Sequence, residues 1–170
     1  PLSRAQARAE LGLGSDERVI LALGSGDVEA QTLQRRMLGK VASRLGASLR
    51  FVSDVLGGAT RLFPAARGYA AADAIVSAGG YHAFHEIAAA GVPAVFLPQD
   101  RPLDDQAWRV RGWPVARDPV ELEAGLRALL GGPGARSRVT FQDGALQLAR
   151  LVERRVKEGV LPQEQVAPVA

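Results

Sequence analysis

Two apolar runs, each halted by glycines and each followed by a helical pattern, constrain the fold of this chain more than any other feature. The first is Arg18-Val19-Ile20-Leu21-Ala22-Leu23, which stops at Gly24-Ser25-Gly26. The second is Ala74-Ile75-Val76-Ser77, which stops after Ala78 at Gly79-Gly80. Neither run alternates with polar residues, so each strand is expected to be buried on both faces, as in a parallel sheet covered by helices. Residues 27–45 continue from the first turn with helical spacing: Val28, Leu33, Met37, Leu38, Val41 and Leu45 are apolar, and Gly46 ends the pattern. Ser48 to Val52 then predicts a strand. Residues 81–90 repeat the helix after the second turn, Gly91-Val92-Pro93 stops it, and residues 94–97 predict another strand. Strand, glycine turn, helix, strand, occurring twice, gives an α/β class: a Rossmann-like parallel sheet with helices on both faces.

The flanking segments fit the same plan. Residues 1–14 predict a short amphipathic helix with Ala5, Ala9 and Leu11 on its apolar side, closed by Gly12 or Gly14. Residues 104–111 predict a short helix and Pro114-Val115-Ala116 a brief strand. Asp118 followed by Pro119 and Glu121 supplies a helix start, with a side-chain cap, a proline at the first position and a glutamate at the third, running to about Leu130. A last amphipathic helix is expected over 141–158, with Leu148, Leu151, Val152 and Val156 on one side. Residues 1–160 therefore read as one domain, and 161–170 as a flexible, proline-containing tail.

Composition narrows the function classes. A chain of 170 residues, 47% hydrophobic and 23% charged, is long enough to bury a core without disulfide or metal staples. It holds no cysteine, which excludes thiolate chemistry and sulfur-bound zinc and fits a cytoplasmic location. No run of about 18 uncharged apolar residues predicts a membrane-spanning helix, and no basic-then-apolar signal opens the chain. The net charge of +3 comes mostly from scattered arginines. A basic stripe interleaved with aromatics is missing, which argues against nucleic acid as a partner.

In open parallel sheets, ligands sit outside the strand C-termini, where glycine turns lead into helices. The first turn, Gly24-Ser25-Gly26, lets backbone amides approach an oxyanion at a helix start. Glu29 occupies the position of the third glycine of a dinucleotide fingerprint, and no Gly-Lys-Ser/Thr comes after it, so neither that motif nor a P-loop is present. A plain tight turn remains the alternative there. The second turn is richer. Gly79-Gly80 opens a helix bearing His82 in its first turn and Glu86 four residues later on the same face. A diphosphate at the helix tip, with a sugar diol held by the carboxylate along its side, is compatible with that spacing. His82 and His85 lack a third ligand at recognisable spacing, so no metal site is expected. After the next strand, Asp105 and Gln106 offer polar contacts to sugar hydroxyls, or else serve as helix-start residues.

The stretch from Ala72 to Trp108 carries Ala-Asp-Ala-Ile-Val-Ser-Ala-Gly-Gly, then Glu86-Ile87-Ala88-Ala89-Ala90-Gly91-Val92-Pro93, then Phe96-Leu97-Pro98 and Asp105-Gln106. In that order these residues resemble the donor-binding segment of GT-B glycosyltransferases, in particular the MurG and UDP-glycosyltransferase group. The resemblance implies a C-terminal GT-B domain that binds a nucleotide sugar, a UDP-sugar above all, as substrate, with no cofactor. It assigns Glu86 to the donor ribose, Gly79, Gly80 and His82 to the diphosphate, and Asp105 and Gln106 to the sugar. It places Gly24 and Ser25 facing the crevice and Leu62 and Phe63 beside the base. It names no catalytic base in this segment. GT-B enzymes work between two such domains, so the resemblance implies that an N-terminal acceptor domain or a partner subunit completes the enzyme and that this chain alone turns over little. The apolar side of helix 141–158 is then expected at the domain junction, and a membrane-associated acceptor is admitted. Three positions depart from the family pattern: the first turn has one Gly-Ser-Gly in place of consecutive glycines, Tyr81 is bulky beside the diglycine, and Arg109 stands where asparagine is common. Two other readings stay open at this point. One is a UDP-N-acetylglucosamine 2-epimerase-like domain, and the other a non-catalytic nucleotide- or NAD-binding module.

Overall fold

The computed structural model of the chain describes residues 2–132 and 144–158. They belong to two units, Pro1–Val139 and Thr140–Ala170. The first unit is built as α1 (Arg4–Glu10), β1 (Val19–Leu23), α2 (Val28–Arg44), β2 (Ser48–Val52), a 3-10 helix (Ala65–Ala71), β3 (Ala74–Ser77), α3 (Tyr81–Ala90), β4 (Ala94–Phe96), α4 (Gln106–Arg109) and α5 (Pro119–Gly131). The four strands form one parallel sheet in the order β2-β1-β3-β4. The expected α/β fold class therefore holds.

Burial on both faces, anticipated from the unbroken apolar runs, is what the strands show. Val19, Ile20, Leu21 and Ala22 of β1 and all four residues of β3 are buried. One face carries Leu38 and Val41 of α2 with Leu122 and Leu126 of α5, packed over Ile20, Ala22, Val76 and Val95. The other carries Tyr69 of the 3-10 helix and Phe84 and Ile87 of α3, packed over Leu21, Ile75 and Phe96. At roughly 1.5–3 kcal/mol for each fully buried large aliphatic or aromatic side chain, these two layers supply the main driving force for folding.

Where the structure departs from the sequence reading, a specific contact is responsible. In α1 it is Ala7 and Arg8 that are buried, not Ala5 and Ala9. The Arg8 guanidinium turns inward because it donates to the carbonyls of Gly14, Ser15 and Glu17 and to Asp73 Oδ2. Asp73 in turn accepts from the Val19 amide at 2.9 Å and from Arg4, so it ties the entry of β1 to the entry of β3. Val28 and Leu33 of α2 are exposed, because the inward side of that helix is formed by Gln31, Leu38, Val41 and Ala42. Pro114-Val115-Ala116 makes a single bridge, between Phe96 and Val115, instead of a strand. The 3-10 helix has no counterpart in the sequence reading. α5 begins as expected: Asp118 accepts from the amides of Val120 and Glu121.

In the second unit, α6 (Gly144–Lys157) carries all four of the expected apolar positions. Arg154, Arg155 and Lys157 fill its last turn, where cations complement the helix dipole. Residues 141–143 of the expected helix and the expected tail 161–170 lie outside the described residues.

Candidate functional site

A cavity of about 700 Å³ opens at the C-terminal ends of β1 and β2, within the size range of small-molecule sites. Gly24 lines it from the end of β1, Leu62 and Phe63 from the loop before the 3-10 helix, and His82 and Glu86 from α3. Five of the ten residues singled out in the sequence thus meet in one hollow. Leu62 is half-buried, packed onto Gly68, while the Phe63 ring is 95% exposed.

Glu86 is exposed to this cavity, and one of its carboxylate oxygens is already engaged. The Tyr69 hydroxyl donates to Glu86 Oε2 at 3.1 Å, and Tyr69 itself is 1% exposed. Burial first, and the adjacent Glu86 charge second, push the phenol well above its ordinary pKa. Tyr69 therefore remains a donor at any working pH.

The second glycine turn lines neither this cavity nor the hollow around Asp105, but leads into a helix whose start makes no side-chain cap. Gly79 has φ +78°, and a Cβ there would stand 2.5 Å from Val110 Cγ1 and 3.3 Å from the Phe96 ring; the positive φ and the crowding both demand glycine. Gly80 is the N-cap of α3, makes no side-chain capping bond, and faces open space where a Cβ would meet nothing within 4 Å. The first turn of α3 holds no acidic residue. A helix start of this kind offers amide donors and a partial positive charge. Arg109 braces the turn from behind. It donates to the Gly79 carbonyl at 3.0 Å and pairs with Asp104 at 2.6 Å, with its side chain only 17% exposed. That bracing gives a structural account of the arginine in a position where the resembled family favours asparagine.

The first glycine turn is built differently. A Cβ on Gly24 would run into the Gln31 amide and the Phe51 ring, so the chain passes tightly between them. The helix it leads to is capped from within, since Asp27 accepts from the Ala30 amide at 2.9 Å and Glu29 sits in the first turn of α2.

Asp105 and Gln106 line a second hollow of about 880 Å³, formed by residues 98–107 and Arg117. Asp105 is exposed there and caps α4 by accepting from the Trp108 amide. Gln106 is 2% exposed; it accepts from the Gln99 amide and donates to Asp104, both at 2.9 Å. Its amide holds the loop together from inside. Hydrogen bonds from Arg109 and Gln106 keep the Asp104 carboxyl below the usual aspartate range. Ser25 joins the rims of the two hollows. Its hydroxyl donates to Gln99 Oε1 at 3.0 Å, and the Arg101 guanidinium reaches both Ser25 Oγ and Gln99 Oε1, at 3.3 and 3.1 Å.

Three contributors were not assigned roles from the sequence. Tyr69 sits in a 3-10 helix with no readable periodicity, and its only local signal is an aromatic residue among small ones. Arg101 and Arg109 act through contacts to distant backbone and side chains that spacing does not encode. The His85 ring packs against the Tyr81 ring with centroids 4.5 Å apart and planes tilted by 60°. Among the described residues no group of three or more His, Asp or Glu side chains is placed to hold a metal, and no helix is long and apolar enough to cross a membrane.

No protein-family model matches the chain. It is 32% identical over 180 aligned residues to the UDP-N-acetylglucosamine--N-acetylmuramyl-(pentapeptide) pyrophosphoryl-undecaprenol N-acetylglucosamine transferase of Clavibacter michiganensis, and equally to that of Clavibacter sepedonicus. Each match covers 88% of this chain and 48% of the relative, so the chain spans about half the length of the curated relatives it matches. Among solved structures, MurG of Acinetobacter baumannii superposes with a TM-score of 0.58 at 20% identity, over 91% of this chain and 53% of that one. The glycosyltransferase VinC, solved in complex with dTDP, gives a TM-score of 0.56 at 20% identity, over 82% of this chain and 42% of that one. The resemblance read from the sequence therefore holds. The chain is similar to MurG-type transferases, and its fold is that of a single half of a GT-B glycosyltransferase.

Proposed function

We propose that this chain is the donor-binding domain of a metal-independent glycosyltransferase, taking a UDP-sugar whose transferred unit is a hexose or N-acetylhexosamine. One observation supports this most: Glu86 and His82, which stands in the first turn of the uncapped helix α3, line the same cavity one turn apart. A turn advances about 5.4 Å, which suits a ribose at Glu86 and its diphosphate at the amides beyond Gly80. The base then falls toward Leu62 and Phe63, and the sugar toward the Asp105 hollow past Ser25 and Arg101. Gln106 serves that hollow indirectly, by fixing its loop.

In transfer, the bond between the sugar's anomeric carbon and the terminal phosphate oxygen breaks, and the departing UDP keeps the electron pair. Amides at the α3 start, with His82 and Arg101 as further donors, meet the charge that grows on that phosphate. Donors fixed in advance stabilise such charge without reorganising at the moment of reaction. The acceptor, which the relatives' names make a lipid-linked saccharide in their case, and the base that activates it belong to a second domain or subunit. The chain by itself is expected to bind donor with little turnover. The relatives are named as glycosyltransferases, which favours this reading over an epimerase or an NAD module.

Calorimetric titration with UDP, UDP-N-acetylglucosamine and NADH tests the reading. UDP and the UDP-sugar are expected to bind and NADH to fail. Glu86→Ala is expected to weaken UDP by about 10- to 150-fold, the range for losing about 1.5–3 kcal/mol of charge-assisted hydrogen bonding. Preference for NADH, or unchanged UDP affinity in Glu86→Ala, contradicts it.

A further inference from the structure

An exposed glutamate on a helix surface ordinarily samples several rotamers, and a carboxylate that must meet two vicinal hydroxyls gains from being fixed beforehand. Glu86 is fixed by a residue from a different element. Tyr69 stands on the 3-10 helix, and its ring is buried with Leu21, Ile75 and Ile87 between that helix, the sheet and α3. Packing on all sides holds the ring, so the hydroxyl is a stationary donor, 3.1 Å from Glu86 Oε2. A carboxylate accepts through about four lone-pair positions on two oxygens. Tyr69 takes one position on Oε2, from the side of the core. The rest, including all of Oε1, remain available to the cavity that both residues line.

We propose that Tyr69 is a positioning residue for the donor ribose: by holding Glu86 Oε2 it presents the rest of the carboxylate to the 2′ and 3′ hydroxyls and makes this chain selective for ribonucleotides over 2′-deoxyribonucleotides. This deepens the donor-site reading and rests on it. Tyr69 touches no substrate in this role and acts only through Glu86. The phenol's raised pKa is consistent with that role, because burial and the Glu86 charge favour the protonated, donating form.

The test uses the whole 170-residue chain and two probes, UDP and 2′-deoxy-UDP. Tyr69→Phe keeps the buried ring and removes only the hydroxyl. It is expected to weaken UDP about tenfold and 2′-deoxy-UDP, which keeps only the 3′ hydroxyl for Glu86 to meet, distinctly less, so that discrimination between the two narrows. In a Glu86→Ala background the same change is expected to cost UDP nothing more, since the residue through which Tyr69 acts is gone. Equal weakening of both nucleotides, no weakening of either, or losses that add to Glu86→Ala would assign Tyr69 to packing alone and overturn the proposal. Should Tyr69→Phe fail to fold, a crystal structure of the unaltered chain with UDP decides instead. Glu86 keeping its Tyr69 contact while bonded to the ribose supports the proposal, and Glu86 swung away from Tyr69 refutes it. The two readings fail separately. An unaltered chain that ignores UDP defeats the donor site and this inference with it, whereas weakening by Glu86→Ala but not by Tyr69→Phe defeats this inference alone.

Discussion

The two glycine turns occupy equivalent places, each at the C-terminal end of a buried parallel strand and each leading into a helix, yet only one is left open. α2 begins with Asp27 folded back onto the Ala30 amide and Glu29 close behind, so its positive end is already answered by the chain's own carboxylates. α3 begins with Gly80, with no side-chain cap and no acid in the first turn. An Asp cap is worth a few tenths of a kcal/mol more than a Gly cap, and α3 forgoes that contribution at the edge of a cavity of about 700 Å³. Two glycine turns of the same kind thus lead into helix starts that differ: one is capped by its own side chains and the other is not. In this chain the difference favours the second turn for the diphosphate and leaves the first to shape the wall through Gly24 and to bridge through Ser25.

The largest expected effect comes from the second turn's geometry. Gly79→Ala places a methyl group at positive φ against Val110 and Phe96, and should destabilise the fold by about 2–4 kcal/mol, read as a lower denaturation midpoint. A midpoint near that of the unaltered chain would show that the turn relaxes freely and does not fix the start of α3.

Gly80→Asp attacks the comparison most sharply, because it gives the second turn the cap of the first. Gly80 has an extended backbone and room for a side chain, so stability should hold or rise by a few tenths of a kcal/mol. UDP affinity should fall more than tenfold, or about 1.4 kcal/mol, because a carboxylate now occupies the phosphate position. Retained UDP affinity would place the diphosphate elsewhere. The mirror experiment is Asp27→Ala. It should cost about 1 kcal/mol of stability and leave UDP affinity unchanged, and a marked loss of affinity would return the first turn to phosphate binding.

Much of this arrangement was legible in the sequence where local chemistry is decisive. β2 and β3 and the whole of α3 fall on their expected residues, because glycine and proline mark their ends and unbroken apolar runs mark burial. The meeting of Gly24, Leu62, Phe63, His82 and Glu86 around one cavity stems from parallel-sheet topology combined with the family resemblance. What escaped was set at long range. Arg8 is buried because carbonyls nearby in sequence and Asp73 far from it converge on one guanidinium. Tyr69 owes its role to a hydroxyl that meets Glu86 across two elements. Gln106, a polar residue at the right spacing for a sugar, is drawn inward to the Gln99 amide and Asp104.

The smallest expected effect concerns the loop behind the second turn. Asp104 has its pKa lowered by Arg109 and Gln106, so its tie to Arg109 is fully present above the ordinary aspartate value of about 3.9 and is lost as pH falls through the lowered one. Protection of the Gln99, Asp104 and Gln106 amides, which are bonded within the loop, measured relative to free-chain exchange at each pH, should hold on acidification to that range and fall below it. Protection already lost near neutral pH would show that the Asp104–Arg109 pair does not hold the loop.

A crystal structure of this chain with UDP bound puts the donor site to its most direct trial. The ribose hydroxyls are expected at hydrogen-bond distance from Glu86, and phosphate oxygens over the amides beyond Gly80. A nucleotide whose ribose lies away from Glu86, or whose phosphates lie at the Gly24-Ser25 turn with the α3 start left empty, would contradict the assignment.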